Sequence, residues 1–193
     1  MRSLLLAVSA LSLAYAAPAL AEAPLADPAA SAAAALAPVP PGKLSDAVRP
    51  LAYRLDLTVD PSAERFSGHV EIDATLKAAS TFVDLHGRDL KMAKATATAG
   101  GKTYVGRWFE LDPTGVARLV FDEPLPAGPV TFAFDYDAEF NQGPAGMFRV
   151  KVGEDWYSWT QFQSIDARAA FPGFDEPGFK VPFTVTLRTR KGH

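Results

Sequence analysis

The chain has 193 residues, with 19 Lys plus Arg against 22 Asp plus Glu and a formal charge of −3. That is length for one domain of ordinary size and a tail, and the slight acidity provides no basic footprint for nucleic acid or an anionic membrane. With no cysteine, disulfides, thiolate nucleophiles, Cys-ligated zinc and iron–sulfur clusters are excluded.

At the start, Arg2 precedes an uncharged run from Ser3 to Ala21 with Leu4, Leu5, Leu6, Val8, Leu11 and Leu13 at its centre. A charged n-region, a short apolar h-region and the small-x-small pattern Ala19-Leu20-Ala21 read as a signal peptide over 1–21, cut after Ala21 or, next, after Ala23. A retained membrane anchor is the other reading, but Pro18 interrupts the run and it falls short of the ~20 apolar residues that span a bilayer. Export and cleavage place the mature protein in a periplasm or outside the cell, free of the membrane. Residues 22–45 follow, mostly Ala and Pro without an aromatic residue. They cannot bury enough surface to offset the entropy of ordering, and are expected to form a flexible linker.

All three Trp and all thirteen Phe lie beyond residue 60, so the folded domain is expected over 46–193. Its hydrophobic period is two. Tyr53, Leu55, Leu57 and Val59 alternate with polar residues, as do Val70, Ile72, Ala74 and Leu76. Each run reads as a strand with one buried and one wet face. Further strands are expected at 81–85, 90–98, 103–111, 116–121, 130–136, 147–152, 156–162 and 182–190. Gly100-Gly101 suits a two-residue hairpin, Asp112-Pro113-Thr114-Gly115 a type I turn, and one helical turn is allowed at 164–170. About ten short strands without a long helix predict an all-β, mostly antiparallel β-sandwich.

No self-contained catalytic motif is found: no His-Glu-x-x-His, no Gly-x-Ser-x-Gly, no phosphate loop. His69 shares a polar strand face with Glu71 and Asp73; a solvated face outweighs a cation site. His86 ends an apolar run, where a hydrogen-bonded structural histidine is the commoner case. In Thr160-Gln161-Phe162-Gln163 the alternation throws Gln161 and Gln163 to one face. Two amides there could offer acceptors and donors to a polar ligand, or be simple exposed strand residues. Asp175-Glu176-Pro177 reads as a rigid acidic turn, with carboxylates that cap backbone amides or pair with Arg168 or Lys180. Trp156 and Trp159 face opposite sides of a regular strand, which speaks against a shared stacking platform for a carbohydrate and favours core packing.

Several blocks together resemble one family. They are Pro50 to Leu57, Phe66 to Ile72, Val83 to His86, Gly146 to Arg149, Thr160 to Gln163, Asp166 to Arg168, and Phe171 to Lys180 with Phe183. In this order they are similar to the N-terminal domain of M1-family zinc aminopeptidases, a group that includes aminopeptidase N and leukotriene A4 hydrolase. The resemblance implies a saddle-like β domain packed against a separate zinc catalytic domain, forming one wall of its cleft. It implies that Gln163 helps bind the α-amine of a peptide and that Gln161 lines the pocket near the first side chain. The position of Gln163 is commonly Glu, although relatives like leukotriene A4 hydrolase carry Gln. The family's zinc motif lies beyond the matched stretch and is not found here. The chain is therefore expected to hold no cofactor itself, with zinc implied for the absent catalytic domain, and to be an inactive fragment or truncated product. A free-standing, non-catalytic β-sandwich module that binds a peptide or protein is the alternative.

Overall fold

The computed structural model describes residues 37–191; the expected signal peptide at 1–21 and the linker residues 22–36 lie outside the described residues. Ten strands follow in chain order: β1 (Val48–Thr58), β2 (Arg65–Leu76), β3 (Ser80–His86), β4 (Leu90–Ala99), β5 (Lys102–Glu110), β6 (Val116–Leu125), β7 (Gly128–Glu139), β8 (Gly146–Val152), β9 (Asp155–Gln161) and β10 (Phe183–Arg188). Among the described residues a single 3-10 turn, Ala167–Ala169, interrupts the β pattern where the helical turn is expected.

Eight strands form one sheet in the order β10-β1-β2-β7-β4-β5-β6-β3, while β8 and β9 form a separate hairpin. Every neighbouring pair is antiparallel except β1 and β10, which run parallel. The sheet bends through β5. Its first half, Lys102 to Val105, pairs with β4, and its second half, Gly106 to Glu110, pairs with β6. Gly106 stands at the change of partner, and any Cβ there would collide with the Leu119 side chain. The hairpin leading into β5 turns at Gly100 and Gly101, whose φ values of 58° and 79° suit glycine.

The period-two pattern becomes burial along the central strands. Val70, Ile72, Ala74 and Leu76 of β2 face Phe132, Phe134 and Tyr136 of β7 in a common core with Leu119 and Phe121 of β6. The curled sheet thus supplies both layers of the sandwich. Removal of ~150–250 Å² per aromatic ring from water makes this the dominant stabilising contribution.

Two regions depart from the sequence expectation. The described part of the linker, 37–45, is packed against the domain rather than free. Leu44 is buried, and its N–H donates to Glu176 Oε1 at 2.5 Å. Arg118 of β6, 1% exposed, pairs with Asp84 at 2.6 Å and donates to the carbonyls of Ala37 and Pro38 at 2.8 and 3.1 Å. Its guanidinium also lies over the Phe82 ring at 4.4 Å. Covered from outside by this strap, Val116 to Phe121 of β6 are buried on both faces, and the polar position among them, Arg118, is a buried cation. At the other end of the sheet, β10 has the alternation of a half-buried strand but every residue is exposed.

Candidate functional site

The segment from β8 to β10 carries the blocks singled out in the sequence, and a network of hydrogen bonds holds its non-strand part. Arg168, buried in the 3-10 turn, donates from Nε to Asp175 Oδ2 at 3.0 Å, from Nη2 to the Asp175 carbonyl at 3.0 Å, and from Nη1 to the Thr114 carbonyl at 2.9 Å. The expected pairing of Asp175 with Arg168 is therefore present. Glu176 caps the Leu44 amide, so both carboxylates have a structural partner. Asp166 receives Arg88 Nη2 at 2.8 Å.

Two core tyrosines that the sequence reading treats as packing, and with them His86, also position this segment. The Phe174 amide donates to the Tyr53 hydroxyl at 2.7 Å, and Tyr136 donates its hydroxyl to the Ala170 carbonyl at 2.6 Å. Burial pushes both phenols well above their ordinary pKa, so each stays protonated. A tyrosine at the end of an apolar alternation is the available signal, since its hydroxyl needs a partner when buried. His86 pairs its backbone with Gly173 in both directions, at 2.7 and 2.9 Å, and its Nδ1 accepts from the Asp175 amide at 3.1 Å. The proton therefore sits on Nε2, which is buried without a hydrogen-bond partner among the described residues. Burial first, and then the Arg168 charge, lower the His86 pKa to about 4. This is the hydrogen-bonded structural histidine that its place in the sequence suggests.

Beyond this scaffold stand the two glutamines. Gln161 is the last residue of β9, opposite Gly146 of β8, and Gln163 lies just past the strand in the turn that leads to Ala167–Ala169. Both are exposed, and among the described residues neither side-chain amide is tied up in a hydrogen bond. Each keeps a carbonyl acceptor and an NH₂ donor for a ligand. Trp159 is 61% exposed rather than part of the core, whereas Trp156 lies under the Arg149 guanidinium at 4.4 Å. The two indoles are thus separated, which leaves no shared stacking platform.

The face that carries His69 is an ion-pair lattice. His69 Nδ1 lies 2.6 Å from Asp135, and Arg54 bridges Glu71 and Asp73 at 2.7 and 2.6 Å. With Asp73 and Glu71 both engaged by Arg54, the triplet makes a solvated charged face. Among the described residues no group of three or more His, Asp or Glu is placed to hold a metal ion.

Comparison with known proteins agrees with this architecture. The family model described as Peptidase M1 N-terminal domain matches residues 49–193. Aminopeptidase M1-C of Oryza sativa subsp. japonica is 35% identical over 72% of this chain and 16% of its own length. Aminopeptidase A of Gloydius brevicauda is 28% identical over 75% of the chain and 16% of its own. Endoplasmic reticulum aminopeptidase 1 of Rattus norvegicus is 27% identical over 78% and 17%, respectively. The chain spans roughly a sixth of the length of these curated relatives. With the curled antiparallel sheet and the ordered blocks from β1 to β10 matched in one family model, the chain belongs to the M1 peptidase family and carries its N-terminal domain.

Proposed function

We propose that this domain forms the substrate-facing wall of an exported M1-type zinc aminopeptidase, with Gln161 and Gln163 receiving the amino end of a peptide. The observation that supports this reading is the contrast inside one segment. Arg168, Asp175 and Glu176 are engaged in holding the backbone, while among the described residues the amides of Gln161, at the end of β9, and Gln163, in the turn after it, stand exposed and unbonded. A carbonyl oxygen accepts a hydrogen bond from an ammonium group but contributes no countercharge. Recognition therefore depends on geometry more than on attraction.

The residues described do not fit a zinc ion. No three potential ligands are grouped, His69 is engaged by Asp135, and His86 is buried with Nδ1 satisfied. We assign the zinc and the bond cleavage to a separate catalytic domain in a longer polypeptide, in keeping with relatives named aminopeptidases of which the matched stretch is about a sixth. Zinc bound there would polarise a carbonyl and activate water. The part of this chain is to bind the amino end of the peptide and orient it. The Arg2 to Ala21 pattern adds delivery to a periplasm or the medium, which amino-terminal sequencing of the mature protein would test by finding Glu22 first.

The decisive experiment uses a polypeptide that joins this domain to the catalytic domain. Gln163→Ala is expected to raise KM severalfold for peptides with a free amino terminus while kcat changes little; an unchanged KM removes Gln163 from the amine site. The 193-residue chain alone is expected to release nothing from amino-acid anilides, with or without added zinc. Chelator-sensitive turnover would overturn that assignment.

A further inference from the structure

Apart from Gln161, one face of the β8–β9 hairpin has no role in the reading above. The register puts Gln161 on the same face as Trp159 and Tyr157, because alternate residues of a strand share a side. Trp159 is 61% and Tyr157 48% exposed. The opposite face is turned to the domain, where Arg149 covers the Trp156 ring and donates to the Ala63 carbonyl at 2.5 Å. A solvated strand face ordinarily carries polar side chains. Two exposed aromatic rings in line with an unbonded amide thus call for an occupant.

The backbone says which kind. One edge of β9 pairs with β8, and among the described residues no strand pairs with the other. Every second residue of β9 turns its N–H and C=O towards that open edge. Such a row of unpaired groups is matched by another extended chain, as in recognition by strand addition.

We infer that β9 receives an extended peptide as an added antiparallel strand, with the first, third and fifth side chains of the peptide over Gln161, Trp159 and Tyr157. The inference rests on the amine-binding reading of Gln161 and Gln163 for its direction. With the amino end at the C-terminal end of β9, the peptide runs back along the strand towards Tyr157. The spacing then matches, since side chains on one face of either chain recur about every 6.8 Å. The chemical consequence is selection at the third position. An aromatic or large apolar side chain there stacks on an indole that is otherwise in water.

The test titrates the isotope-labelled 193-residue chain with a pentapeptide of alanines carrying phenylalanine at position three, observed at the β9 amides and the Trp159 indole N–H. Trp159→Ala, which removes only an exposed ring, is expected to weaken binding at least fivefold, as is glycine at position three. Methylation of the peptide nitrogen at position two or at position three is expected to weaken binding at least tenfold in one case and little in the other. That alternation follows from a ladder and not from loose apolar contact. Equal affinity for both methylated peptides, unchanged by Trp159→Ala, overturns strand addition. If N-acetylation or Gln163→Ala still weakens binding in that event, the amine site survives without it. Alternation that persists while N-acetylation and Gln163→Ala have no effect keeps strand addition and overturns the amine site. No binding of any peptide at millimolar concentration overturns both.

Discussion

The curled sheet and the β8–β9 hairpin are made by the same alternating code, yet they end in opposite environments. In β2 and β7 the apolar members of the pattern meet across a closed core: Val70, Ile72, Phe132 and Phe134 are all under 2% exposed. In β9 and β10 the corresponding residues Trp159, Val185 and Leu187 are 58–61% exposed. Alternation therefore specifies that a strand has two unlike faces, but whether the apolar face is covered depends on what else packs there. In this molecule the covered faces supply stability and the uncovered ones leave apolar side chains in water.

Changes on the covered side should be costly and those on the open side nearly silent. The largest effect is expected at Arg118. Arg118→Met leaves Asp84 facing the interior without its partner and releases the Ala37 and Pro38 carbonyls. A loss of about 3–5 kcal/mol is expected, read from the urea midpoint. A loss under ~1 kcal/mol would mean that water replaces the guanidinium and that the strap is dispensable.

Next comes His86. Its folded pKa of about 4 lies below the 6.5 of a free imidazole, so between these values the unfolded chain binds a proton that the folded chain does not. Its contribution is complete above pH 6.5 and is lost as the pH falls towards 4, by about 3 kcal/mol in all. His86→Asn retains an acceptor for the Asp175 amide and should flatten that part of the stability profile, measured by thermal unfolding at several pH values. A profile as steep as that of the unsubstituted chain would move the acid sensitivity to another group.

The smallest effect is expected on the open faces. Trp159→Ser together with Leu187→Thr should shift the unfolding free energy by no more than ~0.5 kcal/mol, while reducing self-association by light scattering. Destabilisation of several kcal/mol would show that these rings are packed in solution and would remove the contrast between the two regions.

Much of the fold was legible in the sequence because period two is a local property. Strands β1 and β2 and their inward sets follow directly from it, as do the glycine turn at Gly100-Gly101 and the short helical turn near Arg168. The site was legible in a different way. The pairing of Asp175 with Arg168 follows from opposite charges held near each other by a rigid turn, and the exposure of Gln161 and Gln163 from their polar amides at a strand end. What escaped the reading were the long-range partners. A stretch of Ala and Pro looks free until a buried arginine 80 residues away binds its carbonyls. Tyr53 looks like core until its hydroxyl accepts from Phe174.

By itself, then, the sequence determined the strands, their inward and outward faces, the turns and the family blocks, since each depends on neighbours along the chain. Only the tertiary structure decided which faces are closed, where β5 changes partners, that residues 37–45 join the domain, and that β9 keeps an open edge beside Gln161. Those outcomes depend on contacts between distant segments, whose free energy is not written in any local pattern.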